Sequence, residues 1–249
     1  MLMNLFRRKK ALADRPLPSV GNAMRIYAVG DIHGRLDLLD ALLSAIERDH
    51  AARPPQTRQL ILLGDLIDRG PCSAQVVERA MQFSDTLFIK GNHEELFVAA
   101  ARGSARHVGS FRRIGGIETL ASYGLPTGEA AAMDDAALAR WMLNNVPRAH
   151  VDFMDGFSDM LSIGDYMFVH AGIRPRVPLD KQTSADLRWI REEFLTHRGD
   201  HGRVVVHGHS ISTDIEERPN RIGIDTGAWR TGRLTAIGLE GTARWYLQT

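Results

Sequence analysis

The sequence predicts an α/β fold in which short strands carry polar residues at their ends. Apolar runs of five or six residues recur along the chain, and stretches with helical spacing separate the first of them. A glycine-rich polar segment follows nearly every run. The composition agrees, because 44% hydrophobic and 24% charged residues in a chain of 249 are typical of one large globular domain. A coiled coil or a disordered chain is excluded as a description of the whole.

The first hundred residues alternate between strand and helix patterns. Ser73 is predicted to be the N-cap of the second helix. Such alternation favours stacked βα units and a largely parallel sheet. The predicted strands are Arg25–Gly30, Gln59–Gly64 and Thr86–Lys90, and the predicted helices are Leu36–Asp49, Ser73–Gln82 and Glu94–Arg102.

Residues 103–150 have a different pattern and predict a helical insert over one end of the sheet. Helices are expected over Gly109–Tyr123 and Asp134–Asn145. The insert is basic around Arg112 and Arg113. These arginines either contact a substrate or lie on a solvated helix face, and the sequence is compatible with both interpretations.

Strands predominate again after residue 150. A helix is predicted among them at Ser184–Phe194. The predicted strands are Tyr166–His170, Arg203–His207, Arg221–Asp225, Leu234–Leu239 and Ala243–Leu247.

Charge and cysteine content exclude several classes of function. The 31 basic and 30 acidic residues give a net charge of +1, which provides no overall electrostatic case for nucleic acid. A basic segment, 1–22, is predicted to be a flexible tail or a weak electrostatic tether, ahead of a domain over 23–249. No apolar stretch is long enough to span a membrane. One cysteine, Cys72, excludes an intramolecular disulfide, and we expect a cytoplasmic monomer.

The chemistry-bearing residues follow the predicted strands. In open α/β sheets, sites form beyond the carboxyl ends of the strands, so these residues are expected to meet at one edge. Carboxylate, imidazole and amide groups are ligands for divalent metals of hard to intermediate character. The residues in question are Asp31, His33, Asp65, Asn92, His170 and His209.

These six residues can hold two metals about 3.5–4 Å apart, as in enzymes of phosphoryl transfer. Asp31 and His33 can reach one metal, and Asp65 can bridge to a second. Arg69 can hold phosphate oxygens, and His93 can act as a general acid for the leaving oxygen. An isolated Asp-x-His is common, and the segment 91–94 alone is compatible with a simple helix start. The argument therefore depends on the whole set.

The segments Gly30–Gly34, Gly64–Gly70 and Gly91–Glu94 together resemble the signature of the PPP metallophosphatases. These belong to the calcineurin-like metallophosphoesterase superfamily, and the bacterial and lambda-phage type of serine/threonine protein phosphatase is most similar. The resemblance runs from about Arg25 to Leu247. It implies two packed β-sheets flanked by helices, an αββα sandwich, with a dinuclear metal site.

The resemblance also implies roles for individual residues. It makes Asp31, His33 and Asp65 ligands of the first metal, with Asp65 bridging, and it pairs Asp68 with His93 in proton transfer. Arg69 and Arg191 would bind phosphate, with Arg188 as the alternative to Arg191. Asn92, His170 and His209 would complete the second metal site, and Asn92 would also contact the phosphate. His207 is assigned either to a position that supports the ligands or simply to the strand.

The implied reaction is hydrolysis of a phosphate monoester by a hydroxide that bridges the metals. Protein phosphoserine or phosphothreonine is the first expected substrate, with phosphotyrosine as an addition. A dinucleoside tetraphosphate hydrolase is the alternative, because it would share every metal ligand. A small phosphorylated compound is thus the other partner considered, and nucleic acid is not. Mn²⁺ is expected to support activity in vitro, with Fe or Zn as other metals.

Overall fold

The computed structural model describes residues 16–249. The basic residues of the predicted tail, at positions 7–15, lie outside this part. Its strands are β1 (Arg25–Val29), β2 (Arg58–Leu62), β3 (Thr86–Phe88), β4 (Met160–Ile163), β5 (Tyr166–Val169), β6 (Val204–His207), β7 (Glu216–Arg218), β8 (Arg221–Gly223), β9 (Thr235–Glu240) and β10 (Ala243–Gln248). The α-helices are α1 (Leu36–Ala51), α2 (Ser73–Met81), α3 (Asn92–Ala101), α4 (Ala105–Arg113), α5 (Gly116–Ser122), α6 (Thr127–Ala132), α7 (Asp135–Asn145), α8 (Arg148–Asp155), α9 (Ser184–Trp189), α10 (Glu192–Leu195) and α11 (Ala228–Thr231).

The strands form two five-stranded sheets. The first has the order β10-β9-β1-β2-β3 and the second β4-β5-β6-β8-β7. In each sheet the three strands β1, β2 and β3, or β5, β6 and β8, are parallel. The remaining pairings are antiparallel. The prediction of a largely parallel sheet is correct for β1, β2 and β3, on which it was based. It is wrong for the two sheets as a whole, since antiparallel strands extend both parallel cores.

Alternate residues of the strands build separate hydrophobic layers. Ile26 and Ala28 of β1 face the second sheet, where they pack with residues such as Phe168 and Val206. Tyr27 and its alternating neighbours face the helices on the other side. This two-residue period is what a sheet with both faces covered requires. The architecture is an αββα sandwich, as the resemblance to the metallophosphatases implied.

Helices cover the outer faces of both sheets. Helices α1 to α8 contribute to the layer against the first sheet, and α9 and α10 pack against β5 and β6 of the second. The region 103–150 is helical throughout most of its length. Arg112 donates hydrogen bonds to the carbonyl oxygens of Ala131 and Met133 and pairs with Asp135. It therefore ties neighbouring turns of this region together instead of lying on a solvated face.

Two predicted helices are each interrupted at a residue whose backbone is not helical. The helix expected over Gly109–Tyr123 ends at Arg113, because Gly115 has a φ of +103°, a left-handed conformation. The helix expected over Ser184–Phe194 ends at Trp189, since Ile190 is extended. The chain then reaches Arg191 in a non-helical conformation.

The predicted N-cap of α2 is also wrong. Cys72 precedes the helix, and Ser73 is its first helical residue. The Ser73 hydroxyl instead accepts a hydrogen bond from the Asp68 amide at 3.0 Å. The residue therefore supports the loop after β2 and leaves the helix end without a side-chain cap.

The structure describes residues 16–22, which lie before the predicted start of the domain at residue 23. Ser19 accepts a hydrogen bond from the amide of Asp165, and the amide of Val20 donates to Gly241. Val20 is buried between the sheets. Regular packing thus starts before residue 23. None of the described helices is both long and apolar enough to cross a membrane.

Candidate metal centre and phosphate site

The site residues lie in tight loops that follow parallel strands. Six non-glycine residues of the described chain have positive φ, and five belong to the set predicted from the sequence. They are His33, Asp65, Asp68, Arg69 and His209, with φ between +48° and +72°. The left-handed region costs a non-glycine residue of order 1 kcal/mol or more and is typical of functional sites. These loops turn sharply enough to direct successive side chains into one place.

Asp65 occupies the centre of the site. Its carboxylate lies 3.3 Å from Nε2 of His170, 3.6 Å from Nε2 of His93 and 3.7 Å from Nε2 of His33. Asp65 is buried with all three histidines. Burial alone would raise the pKa of Asp65, but the neighbouring His170 and His93 hold it well below its usual range. Asp65 is thus a carboxylate that can bridge two cations.

Hydrogen bonds fix the histidine tautomers. The Nδ1 atom of His170 lies 2.7 Å from the carbonyl oxygen of Leu63, and that of His33 lies 2.8 Å from the carbonyl of Ile67. A carbonyl only accepts, so Nδ1 carries a proton in both rings and Nε2 is the atom directed at the centre. Carbonyl partners of this kind orient metal-binding histidines in proteins.

His209 has the character of a metal ligand. Its Nε2 atom is buried and has no hydrogen-bond partner among the described residues. Burial, together with His170, lowers the pKa of His209 to about 2, so the imidazole is neutral. Such an unpaired nitrogen costs free energy unless another group meets it. A divalent cation would satisfy the lone pair.

Two groups of buried residues have the spacing of metal sites. Their candidate ligand atoms lie within 4.8 Å of one another, and Asp65 belongs to both groups. One contains His33, Asp65 and His93, and the other contains Asp65, His170 and His209. Asn92 joins the second group through its Oδ1 atom, 3.0 Å from Nε2 of His170. The donors therefore fit two divalent metals that share one carboxylate.

Asp31 provides a second buried carboxylate beside this centre. The amide of His209 donates to both oxygens of Asp31, at 3.2 and 3.0 Å. Burial and the charge of Asp225 raise the pKa of Asp31 well above its usual range. Two buried carboxylates need a nearby positive charge to remain ionised. A metal next to Asp31 would supply that charge.

His93 and Asp68 form a close pair at the edge of the centre. The Nδ1 atom of His93 lies 2.6 Å from Oδ2 of Asp68. Burial opposes a charge on the imidazole, but the Asp65 charge and this hydrogen bond outweigh it and raise the pKa of His93. The hydroxyl of Thr119 donates to the other Asp68 oxygen at 2.6 Å. Asp68 is therefore held from two sides, and it orients the imidazole.

The two predicted phosphate-binding arginines both reach the site. Nη2 of Arg69 lies 3.1 Å from Nε2 of His93, and Nη1 of Arg191 donates to the carbonyl of His209 at 3.2 Å. Arg188, the alternative to Arg191, is paired with Asp159 and with Glu95. Its charge is thus already neutralised, and the geometry favours Arg191.

Sequence reasoning missed the part played by Glu94. Its carboxylate accepts hydrogen bonds from the amides of Gly91, Asp65 and Leu66, at 2.8–2.9 Å. It joins the start of α3 to the loop after β2. A glutamate three residues after the helix N-cap is a known capping signal, so the segment 91–94 contained the information. Thr119 gave no comparable signal, because it is 51 residues from Asp68 in the sequence.

His207 points away from the centre. Its Nε2 atom lies 3.3 Å from Arg221, and its ring packs edge-on against Phe194, with centroids 5.0 Å apart. Burial lowers the pKa of His207 to about 4. These contacts agree with its assignment to the strand.

A buried donor set that fits two divalent metals is typical of metal-dependent phosphoesterases. The chain belongs to the calcineurin-like phosphoesterase family, which it matches over residues 24–231. Members of this family use divalent metals.

Curated relatives carry one name repeatedly. The chain is 32% identical over 178 residues to a symmetrical bis(5'-nucleosyl)-tetraphosphatase of Acidovorax sp. strain JS42, covering 71% of this chain and 50% of the relative. It is 23% identical to the enzyme of that name from Neisseria gonorrhoeae FA 1090, covering 87% and 93%. An asymmetrical bis(5'-nucleosyl)-tetraphosphatase of Oceanobacillus iheyensis is 24% identical, with 86% and 88% covered. The chain spans about half the length of the Acidovorax relatives that it matches.

Solved structures support the fold. A protein provisionally described as a diadenosine tetraphosphatase superposes with a TM-score of 0.63 at 22% identity, covering 91% of this chain and 94% of its own. A cold-active protein tyrosine phosphatase of a Shewanella species superposes with a TM-score of 0.50 at 15% identity, covering 90% and 80%. At these identities the likeness shows a shared fold.

The first functional expectation from the sequence is therefore wrong. A phosphoserine and phosphothreonine phosphatase was expected because the metal ligands and arginines match that class. Curated relatives of this chain are instead named tetraphosphatases, which was the alternative. The error has a physical reason, since both activities use the same metal-binding residues and differ in what surrounds them.

Proposed function

We propose that this protein hydrolyses dinucleoside tetraphosphates in a metal-dependent reaction. The observation that carries the proposal is the match to a Neisseria relative named for this activity, which spans 87% of this chain and 93% of the relative. The buried cluster around Asp65 supports it, because its donors suit divalent cations. The name symmetrical recurs among the relatives, so central cleavage to two nucleoside diphosphates is the proposed outcome.

Two metals would be held by the residues at the strand ends. The proposed ligands are Asp31, His33, Asp65, Asn92, His170 and His209. When bound, the metals would supply the positive charge and activated water that phosphate hydrolysis requires. Carboxylate, imidazole and amide donors suit Mn²⁺, Fe and Zn²⁺, and Mn²⁺ is the ion proposed for assays.

The remaining residues would bind the substrate and move a proton. Arg69 and Arg191 would hold phosphate oxygens through their guanidinium groups. Asn92 would contact the phosphate as well. His93 would donate a proton from Nε2 to the leaving oxygen. Asp68 would keep that ring in the required tautomer, because it accepts the hydrogen bond from Nδ1.

The test compares two substrates on one preparation. Protein loaded with Mn²⁺ is assayed for kcat/KM on diadenosine tetraphosphate and on a phosphoserine peptide, with products separated by chromatography. We expect a strong preference for the dinucleotide and ADP as the product. A preference for the peptide, or no nucleotide product above that of Asp65→Asn, would overturn the proposal. ATP and AMP as products would keep the substrate and change the cleavage position.

A further inference from the structure

Trp229 is an exposed aromatic residue beside the proposed phosphate site. Among the described residues, only Trp189 and Trp229 are large aromatic residues with extensive exposure, at 38% and 37%. The indole of Trp189 donates a hydrogen bond to Glu95. The indole nitrogen of Trp229 has no hydrogen-bond partner in the described chain. Its neighbour is the Arg69 guanidinium, whose Cζ atom lies 5.3 Å from the ring centroid.

The backbone around Trp229 is firmly anchored. The amide of Gly227 donates to Asp225 at 2.9 Å, and the hydroxyl of Thr231 donates to the carbonyl of Thr226 at 2.9 Å. Nη1 of Arg35 donates to the carbonyl of Ala228 at 3.1 Å. Helix α11 is thus fixed on both sides of the tryptophan. The indole therefore projects from a backbone that hydrogen bonds hold in place.

The neighbouring Arg69 indicates which part of a ligand would contact the indole of Trp229. Arg69 also lies beside His93, where the leaving oxygen of the substrate would be. A nucleotide held there by its phosphates carries its base a short distance away. Aromatic side chains stack on any nucleobase, because every base has a π face. An exposed ring next to a phosphate-binding arginine therefore suits the base of a nucleotide better than the side chains of a phosphopeptide.

We propose that Trp229 is the platform on which one nucleobase of the substrate stacks while Arg69 holds a phosphate. This inference rests on the proposed function, and it makes Trp229 a specificity-determining residue for nucleotides. The metal-binding cluster would not depend on it. Removal of the ring should lower kcat/KM for substrates that carry a base and leave it nearly unchanged for a bare phosphate chain.

The experiment uses substrates with and without bases. Trp229→Ala is compared with the wild type on diadenosine tetraphosphate and on inorganic tetraphosphate, with Mn²⁺ present throughout. We expect kcat/KM on the dinucleotide to fall about tenfold, which corresponds to about 1.4 kcal/mol. The value on inorganic tetraphosphate should change less than twofold. Trp229→Phe should retain most dinucleotide activity, because it keeps an aromatic ring.

A matched control removes another exposed side chain. Leu143 is 55% exposed and lies in α7, so Leu143→Ala should leave both substrates unaffected. Full dinucleotide activity in Trp229→Ala would overturn the inference alone. So would an equal loss on both substrates, since it would show that the ring acts only by positioning Arg69. Failure of the wild type to hydrolyse diadenosine tetraphosphate would overturn the proposed function as well, and it is seen before any variant is compared.

Discussion

At the scale of single residues, the contacts of His93 are compatible with two roles, that of a metal ligand and that of a general acid. The Nε2 atom of His93 lies 3.6 Å from Asp65, close enough for His93 to be counted with the metal-binding groups. Its Nδ1 atom is bound to Asp68, which suits a general acid. The role of His93 is therefore testable by two independent measurements, metal content and the dependence on leaving group.

We expect His93→Asn to slow the reaction most where the leaving group is poor. Loss of a general acid commonly costs about 10²–10⁴ in rate. The comparison uses alternative substrates that the wild type is first shown to hydrolyse. A simple alkyl phosphate should show most of that loss in kcat, whereas p-nitrophenyl phosphate needs little protonation and should show less. Metal content measured by elemental analysis should stay at the wild-type value.

Two outcomes would contradict this role. Equal losses on the alkyl and aryl esters would show that His93 donates no proton to the leaving oxygen. A drop in metal content would place His93 among the ligands. Asp68→Asn is the matched variant, because it keeps the shape of the pair and removes its charge, and it should follow the same pattern with a smaller loss.

The sequence predicted which residues would lie together at one edge of the fold, but not all of the contacts that hold them. Asp31, Asp65 and His170 were proposed from their positions after strands, and the structure brings them together. Thr119 was not predicted, because its contact with Asp68 depends on how a helix 51 residues away packs. Asp225 was predicted only as the end of a strand, yet its charge acts on Asp31. Contacts of that kind follow from tertiary packing, which leaves no local pattern.

At the scale of elements, glycines allow the strand-end loops to approach one another closely. A Cβ on Gly91 would lie 2.1 Å from Oδ1 of Asp65, and one on Gly208 would lie 2.0 Å from Oδ1 of Asp31. Real Cβ atoms do not come so close to an oxygen. The backbone of each loop therefore packs directly against a carboxylate of the next, and this brings the ligands within reach of common metals.

Gly91→Ala should disturb the metal centre through Asp65. The added methyl group would displace the carboxylate or the backbone, at a cost of about 1–3 kcal/mol in unfolding free energy. We expect weaker Mn²⁺ binding by calorimetry and a lower Tm. Gly128→Ala is the control, since nothing lies within 4 Å of its Cβ position on the exposed side of α6. Wild-type Mn²⁺ affinity in Gly91→Ala would show that the loops have room to move.

Element types were largely predictable, and sheet connectivity was not. Strands β1, β2 and β5 have strong apolar runs, so periodicity found them. Strands β4 and β7 were missed, because they are short and half-exposed, and β7 reads Glu-Glu-Arg. These missed strands are the antiparallel edges of the second sheet. A strand that pairs mainly through its backbone gives little side-chain pattern, which explains the error about parallel pairing in the second sheet. In the first sheet β9 and β10 were predicted, but the direction in which they pair was not.

At the scale of the whole molecule, one edge pair connects stability with pH. Glu216 of β7 lies 2.9 Å from Nη2 of Arg221 in β8, and Arg221 is only 2% exposed. The hydrogen bond to Arg221 lowers the pKa of Glu216 to about 2, against the smaller effect of burial. The paired carboxylate therefore stabilises the fold above a pH of about 4.5. That contribution is lost as the pH falls from there through about 2.

Glu216→Gln should lower the Tm at neutral pH, because Arg221 loses its charged partner. A hydrogen bond to a charged group contributes about 1.5–3 kcal/mol, and the partial exposure of Glu216 places the loss at the lower end, a few degrees for a chain of this size. The difference from the wild type should shrink as the pH falls from 6 to 3, as measured by calorimetry. Glu217→Gln, on the same strand, is the comparison. A difference that stays constant with pH would show that the pKa of Glu216 is not lowered.

Metal binding should couple the site to the stability of the whole fold. The ligands come from loops of both sheets, so a bound ion joins the two halves of the sandwich. Asp31 is a buried carboxylate whose ionisation the charge of Asp225 disfavours. A cation would remove that repulsion, and it would also meet the free nitrogen of His209. The metal-free protein is therefore expected to be the less stable form.

Removal of metal with a chelator should lower the Tm, and addition of Mn²⁺ should restore it. At a free concentration 100 times the Kd, one bound ion adds about 2.7 kcal/mol, or roughly 5–10 °C in Tm. Asp65→Asn should lose most of this response, because both metals would lose the shared carboxylate. Asp155→Asn, which changes a carboxylate bound to Lys90 outside the centre, should keep it. If Asp65→Asn responded to Mn²⁺ like the wild type, Asp65 would not bridge the metals, and the shared-carboxylate arrangement would have to be abandoned.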